Sequence, residues 1–110
     1  MSHSCTVSEL QAALASSAAP QLLDVRRAPV FEQTHELIDG ANWRDPAHVA
    51  EWSASLDGAR PVVVYCVHGH EVSQGCASKL VELGFDAAFL EGGIEAWKQA
   101  SGAMAAKTSA

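Results

Sequence analysis

Apolar residues along this chain recur either at steps of three and four or in short unbroken runs, the pattern of helices alternating with strands. Thr6-Val7-Ser8-Glu9 has the capping-box form, a hydroxyl with a carboxylate three residues on, and Leu10 and Leu14 follow at helical spacing. The helix they predict stops between Ser16 and Pro20. A buried strand is expected next at Gln21-Leu22-Leu23-Asp24-Val25, and Ala28-Pro29 opens a turn of helix. Gln33 to Gly40 reads as loop and Ala41-Asn42-Trp43 as a short strand. Asp45-Pro46, a capping residue before a proline at the first helical position, starts a helix that runs to about Ser55.

The strongest signal is Val62-Val63-Val64-Tyr65-Cys66. So continuous a β-branched run fits a parallel strand covered on both faces, which places it in the middle of the sheet. After a loop from Val67 to Glu71, Val72, Cys76, Leu80 and Leu83 repeat at steps of four, four and three, one face of a helix that Gly84 ends. Ala87-Ala88-Phe89-Leu90 is the next strand, Gly92-Gly93 turns the chain, and a last helix runs from Ile94 to about Ala100. From Ser101 the alanine-rich end is expected to fray. The pattern predicts one α/β domain over residues 1–110, its core at about 6–99, with helices packed on a mainly parallel sheet.

Composition narrows the function. With 110 residues and 48% apolar content, the chain can bury a core without metal or disulfide staples. A net charge of −6 with no basic run speaks against nucleic acid as a partner. No apolar run approaches the roughly 20 residues of a membrane helix, so no membrane association is expected. The segment Met1-Ser2-His3-Ser4-Cys5-Thr6 lacks the basic flank and apolar stretch of a signal peptide, and a cytoplasmic location with reduced thiols is expected. Three cysteines at spacings of 61 and 10 residues fit neither a disulfide framework nor a zinc ribbon.

Each thiol is therefore judged singly. Cys66 closes the most buried strand, and in such sheets the ligand crevice lies beyond the carboxyl ends of the strands. Gly69 lets the following loop curl several N–H groups toward one point, while the next helix adds the positive end of its dipole. Thiols in that setting ionise more readily than a free cysteine, which makes Cys66 the candidate nucleophile; a buried cysteine that only ends a strand is the alternative. Cys5 lies near a terminus expected to fray. Cys76 shares its stripe with Val72, Leu80 and Leu83 and points into the core, which argues against a Cys66–Cys76 disulfide and against a metal site made of Cys66, His68, His70 and Cys76.

Leu23-Asp24-Val25-Arg26 with Phe31, Gly40-Ala41, Val63-Val64-Tyr65-Cys66 with Gly69, Leu83-Gly84-Phe85, and Leu90-Glu91-Gly92-Gly93-Ile94-Glu95-Ala96-Trp97 stand in an order and spacing that resemble a single-domain rhodanese from about Thr6 to Gln99. The resemblance implies a three-layer sandwich. It also implies a sulfurtransferase that carries sulfane sulfur as a persulfide on Cys66, taken from thiosulfate or another donor and passed to cyanide or a thiol, with a small molecule or a protein as partner and no cofactor. Val67, His68, Gly69, His70, Glu71 and Val72 would form the substrate loop. Asp24 and Arg26 would hold the loop scaffold together.

The loop departs from the family pattern. It contains no Lys or Arg, and with Ser73 aligned to the family's usual serine it has seven residues, one more than usual for sulfur transfer. Seven is the length in relatives that act on phosphate esters or arsenate, but those have an arginine as the seventh residue to clamp the oxyanion. Val72 stands there and cannot. A phosphatase-like enzyme therefore ranks below sulfur transfer, and a non-catalytic interaction module of the same fold is the other alternative. His68 reads as a charge-switchable anion contact or as an exposed imidazole, and His70 leaves the same choice open. Glu71 either selects against anions or stabilises the helix start. Arg26, Arg27 and Arg44 are the upstream groups that could return positive charge to the cleft.

Overall fold

The computed structural model describes residues 3–106. The chain runs β1 (His3–Cys5), α1 (Val7–Leu14), β2 (Gln21–Asp24), α2 (Ala28–Glu32), β3 (Glu36–Ile38), β4 (Asn42–Trp43), α3 (Val49–Trp52), β5 (Val62–Tyr65), α4 (Glu71–Glu82), β6 (Ala87–Leu90), α5 (Gly93–Gln99) and β7 (Met104–Ala106). Five strands form one sheet in the order β1-β6-β5-β2-β4, every pair parallel. β5 is central and all four of its residues are buried, as its valine run requires.

Alternation along β5 builds two cores. Val62 and Val64 face a cluster with Leu23, Val49, Cys76, Ala77 and Leu80, under α3 and α4. Val63 and Tyr65 face the other way, into Leu10, Leu22, Ile38, Ile94 and Trp97, under α1 and α5. The α1 capping box forms as read, with Thr6 Oγ1 accepting from Glu9 N at 3.1 Å and a Glu9 carboxylate oxygen accepting from Thr6 N at 2.8 Å. Gly84, at φ 97°, ends α4 in the left-handed region.

Several expectations need correction. The stretch Gln33 to Gly40 is not all loop: β3 pairs antiparallel with β7, Ile38 opposite Met104. The end expected to fray from Ser101 is therefore tied down as far as Ala106, and residues 107–110 lie outside those described. Gly102 holds this strap close, since a Cβ there would lie 2.3 Å from the Trp97 ring, while Trp97 Nε1 donates to Ala103 O at 3.0 Å. Cys5 is likewise not in a frayed end. It belongs to an edge strand, and its carbonyl accepts from Glu91 N at 2.8 Å. The single helix expected up to Ser55 is broken into a 3-10 turn at Pro46–His48, α3, and a second 3-10 turn at Ser53–Ser55. Asp45 does cap it, accepting from Ala47 N at 2.9 Å. Smaller shifts put the end of α1 at Leu14 and the start of α4 at Glu71.

Asp24 and Tyr65 are register partners at the ends of β2 and β5. Tyr65 Oη donates to Asp24 Oδ2 at 3.0 Å and accepts from Ile38 N at 3.1 Å, and Arg26 Nε bonds both Asp24 oxygens at 3.0 and 2.9 Å. All three side chains are buried. Burial, and then the Asp24 charge, pushes the Tyr65 phenol well above its usual range, so it stays a neutral donor. Tyr65→Phe leaves the Ile38 N–H without an acceptor and should cost about 1–3 kcal/mol in urea unfolding. Asp24→Ala, which strands a buried guanidinium, should cost about 3–5 kcal/mol. Losses below about half a kcal/mol for both would contradict this network's structural role.

Candidate active site

Strand β5 delivers Cys66 to the carboxyl edge of the sheet, next to the Asp24–Arg26 pair at the end of β2. The thiol is almost fully buried, and its Sγ donates to Ser73 Oγ at 3.1 Å. Ser73 lies in the first turn of α4 and is itself fully buried. Nothing in the chain's pattern announces this contact across seven residues.

The loop after Cys66 is held from two sides. Ile94 N and Glu95 N, at the start of α5, donate to the carbonyls of Cys66 and Val67 at 2.9 and 3.2 Å. Two glycines permit that approach. A Cβ on Gly93 (φ 61°) would fall 2.4 Å from both carbonyl oxygens, and one on Gly69 (φ 74°) would fall 2.7 Å from Leu90 O and 2.8 Å from Gly92 N. From the α4 side, Gln74 Nε2 donates to Gly69 O at 2.9 Å, a support that the sequence did not reveal. Among the described residues, no protein acceptor takes the backbone N–H groups of Val67 to Ser73.

A cavity of about 350 Å³ opens over the thiol. Cys66, Val67, His68, His70, Glu71 and Val72 line it from the loop, and Arg26, Arg27 and Val30 from the end of β2 and from α2. Gly69 is buried behind the wall, and Asp24 sits behind Arg26, so neither lines the cavity. His68, His70 and Glu71 are exposed, with the two imidazole rings 6.0 Å apart. Among the three arginines considered as sources of positive charge, Arg26 is bound to Asp24 and donates to Glu36 O at 3.1 Å. Arg44 donates to Trp43 O at 2.8 Å and does not line the cavity. Arg27 is exposed at the mouth and has no ion pair among the described residues.

The three cysteines are free thiols in unlike settings. Burial, then Cys66 and Asp45, pushes the Cys76 thiol up to about 12, which keeps it protonated. Burial, then Glu9 and Glu91, raises Cys5 as well. Cys76 does not line the Cys66 cavity, and no three His, Cys, Asp or Glu side chains converge in a metal-binding group among the described residues. Nor is any helix among them long and apolar enough to cross a membrane.

Comparison with known proteins matches this architecture. The thiosulfate sulfurtransferase GlpE of Shewanella oneidensis is 39% identical over 82 residues, covering 74% of this chain and 78% of the relative. GlpE of Coxiella burnetii is 41% identical over 78 residues, 70% of each chain. The structure of a rhodanese-related protein from Thermoplasma volcanium superposes with a TM-score of 0.80 at 24% identity, covering 94% of this chain and 97% of the other, and shares the fold. The family model for the rhodanese-like domain matches residues 6–100, and with this sequence and structural agreement the chain belongs to the rhodanese-like domain family.

Proposed function

We propose that this protein is a rhodanese-type sulfurtransferase in which Cys66 carries sulfane sulfur from donor to acceptor. The observation that carries the reading is the setting of one thiol: Cys66 ends the central strand, opens into a cavity, and lies against the Ser73 hydroxyl. The relatives named thiosulfate sulfurtransferase supply the donor class.

The Cys66 thiolate attacks the outer sulfur of thiosulfate. The S–S bond breaks and sulfite leaves with its electron pair, so Cys66 is left as a persulfide anion. Cyanide or a thiolate then attacks the outer sulfur, Cys66 departs as thiolate, and thiocyanate or an organic persulfide is released. Both steps are displacements at sulfur with electrons in balance, so neither needs a cofactor. Ser73 can turn its hydroxyl to donate to either anion, and the free N–H groups from Val67 to Ser73 favour the same charge.

With no cation in the loop, Arg27 is the charge that meets an incoming dianion, while Glu71 opposes it. Val72 lines the cavity where an oxyanion clamp would need an arginine, which favours sulfur over phosphate chemistry. His68 and His70 would add positive charge when protonated. The cytoplasm is the compartment that suits a working free thiol.

Intact-mass analysis after thiosulfate treatment should find one added sulfur per chain, mapped to Cys66 rather than Cys5 or Cys76 and removed by excess thiol. Undiminished transfer by Cys66→Ser would refute the assignment. Glu71→Arg should raise kcat/KM for thiosulfate by roughly threefold to tenfold, and Arg27→Gln should lower it by a similar factor, since both charges are exposed and partly screened. Both effects should shrink at high salt. Steady-state kinetics at two ionic strengths checks this, and unchanged values for both variants would show that neither side chain meets the donor.

A further inference from the structure

A second and larger cavity, about 630 Å³, adjoins the one over Cys66. Arg27 and Val72 line both, so the two meet at those side chains. Beyond this junction the groove runs along α4, past Gly75, Cys76 and Lys79, and its opposite wall is the start of α2 with the Asp45–Ala50 segment. Thiosulfate is a five-atom anion, whereas cavities of several hundred Å³ suit organic ligands.

Gly75 is the telling residue. It sits inside α4, where glycine is the poorest helix former apart from proline. Nothing in the protein demands it there: φ is not in the left-handed region, and a Cβ would meet no atom within 4 Å. What its missing side chain leaves open is the groove. The charges at either end also have a sense. Arg27 stands at the junction and Lys79 further along, both exposed; the Asp45 carboxylate on the opposite wall accepts from Ala47 N and lies 3.9 Å from His48 Nε2. Val72 to Lys79 covers about 10 Å of helix at 1.5 Å per residue, comparable to two or three residues of extended peptide.

We propose that this groove holds the organic body of the acceptor, a peptide-sized thiol bearing a carboxylate that pairs with Lys79, and that Gly75 and Lys79 set the enzyme's preference for it. The inference rests on the sulfur-transfer reading above. With the thiol's sulfur at the junction, its thiolate attacks the outer sulfur of the Cys66 persulfide. The persulfide S–S bond breaks, Cys66 leaves as thiolate, and the acceptor departs as its own persulfide; the thiol proton goes to solvent.

The test uses the full chain with thiosulfate as donor and two acceptors, glutathione as the peptide thiol and cyanide as an acceptor too small to need the groove. Gly75→Leu fills the groove with a good helix former, so folding should hold, with Gly75→Ala as a second variant that adds only a methyl. For glutathione, Gly75→Leu should raise KM roughly tenfold or more and Lys79→Glu roughly threefold to tenfold, the latter shrinking with salt, while cyanide turnover stays within about threefold. Equal losses with both acceptors, or none with glutathione, would overturn the groove's role and leave the sulfur-transfer reading standing. If wild type transferred sulfur to neither acceptor, that earlier reading would fail and this one with it.

Discussion

The start of α5 and the loop after Cys66 occupy space that only glycines allow them to share. Ile94 and Glu95 donate to the Cys66 and Val67 carbonyls because Gly93 puts no atom where those oxygens lie. Helix N-termini carry unpaired N–H groups, and here two of them are satisfied by the loop's own carbonyls. Those two carbonyls are thereby taken up by α5. The N–H groups of Val67 to Ser73, by contrast, meet no protein acceptor among the described residues, and they suit an anion.

A second constraint lies one layer deeper. Tyr65 precedes Cys66, and its hydroxyl ties β5 to Asp24 on β2 and to Ile38 on β3. Arg26 completes the same network, so a cation at the cavity wall is committed to structure and is not free for substrate. The electrostatics of the site follow from this arrangement. Arg27 and Glu71, of opposite charge, both line the cavity, and no arginine stands in the loop itself to clamp an oxyanion.

Much of this was legible in the sequence where local chemistry and tertiary packing agree. The capping box at Thr6, the valine run of β5 and the α4 stripe each satisfy a periodic rule and a burial requirement together. The β3–β7 strap was not legible, because three-residue strands show no alternation to speak of and their pairing joins segments more than sixty residues apart. Edge strand β1 was missed for the same shortness. In the candidate site, position and resemblance point to Cys66 and its loop, but which of Arg26, Arg27 and Arg44 reach the cavity shows only in the folded chain. The Ser73 contact, the Gln74 support and the open face at Gly75 likewise exist only once α4 is docked.

The glycine clamp on the Cys66 loop is tested most directly by comparing Gly93→Ala with Gly58→Ala, the latter a glycine whose added Cβ meets nothing within 4 Å. Transfer of sulfur from thiosulfate to cyanide would be measured at a temperature low enough that circular dichroism finds both variants folded. Displacing the loop carbonyls by even an ångström should lower the Gly93→Ala rate by roughly a hundredfold, with Gly58→Ala like wild type. Folded Gly93→Ala working at the wild-type rate would contradict the clamp.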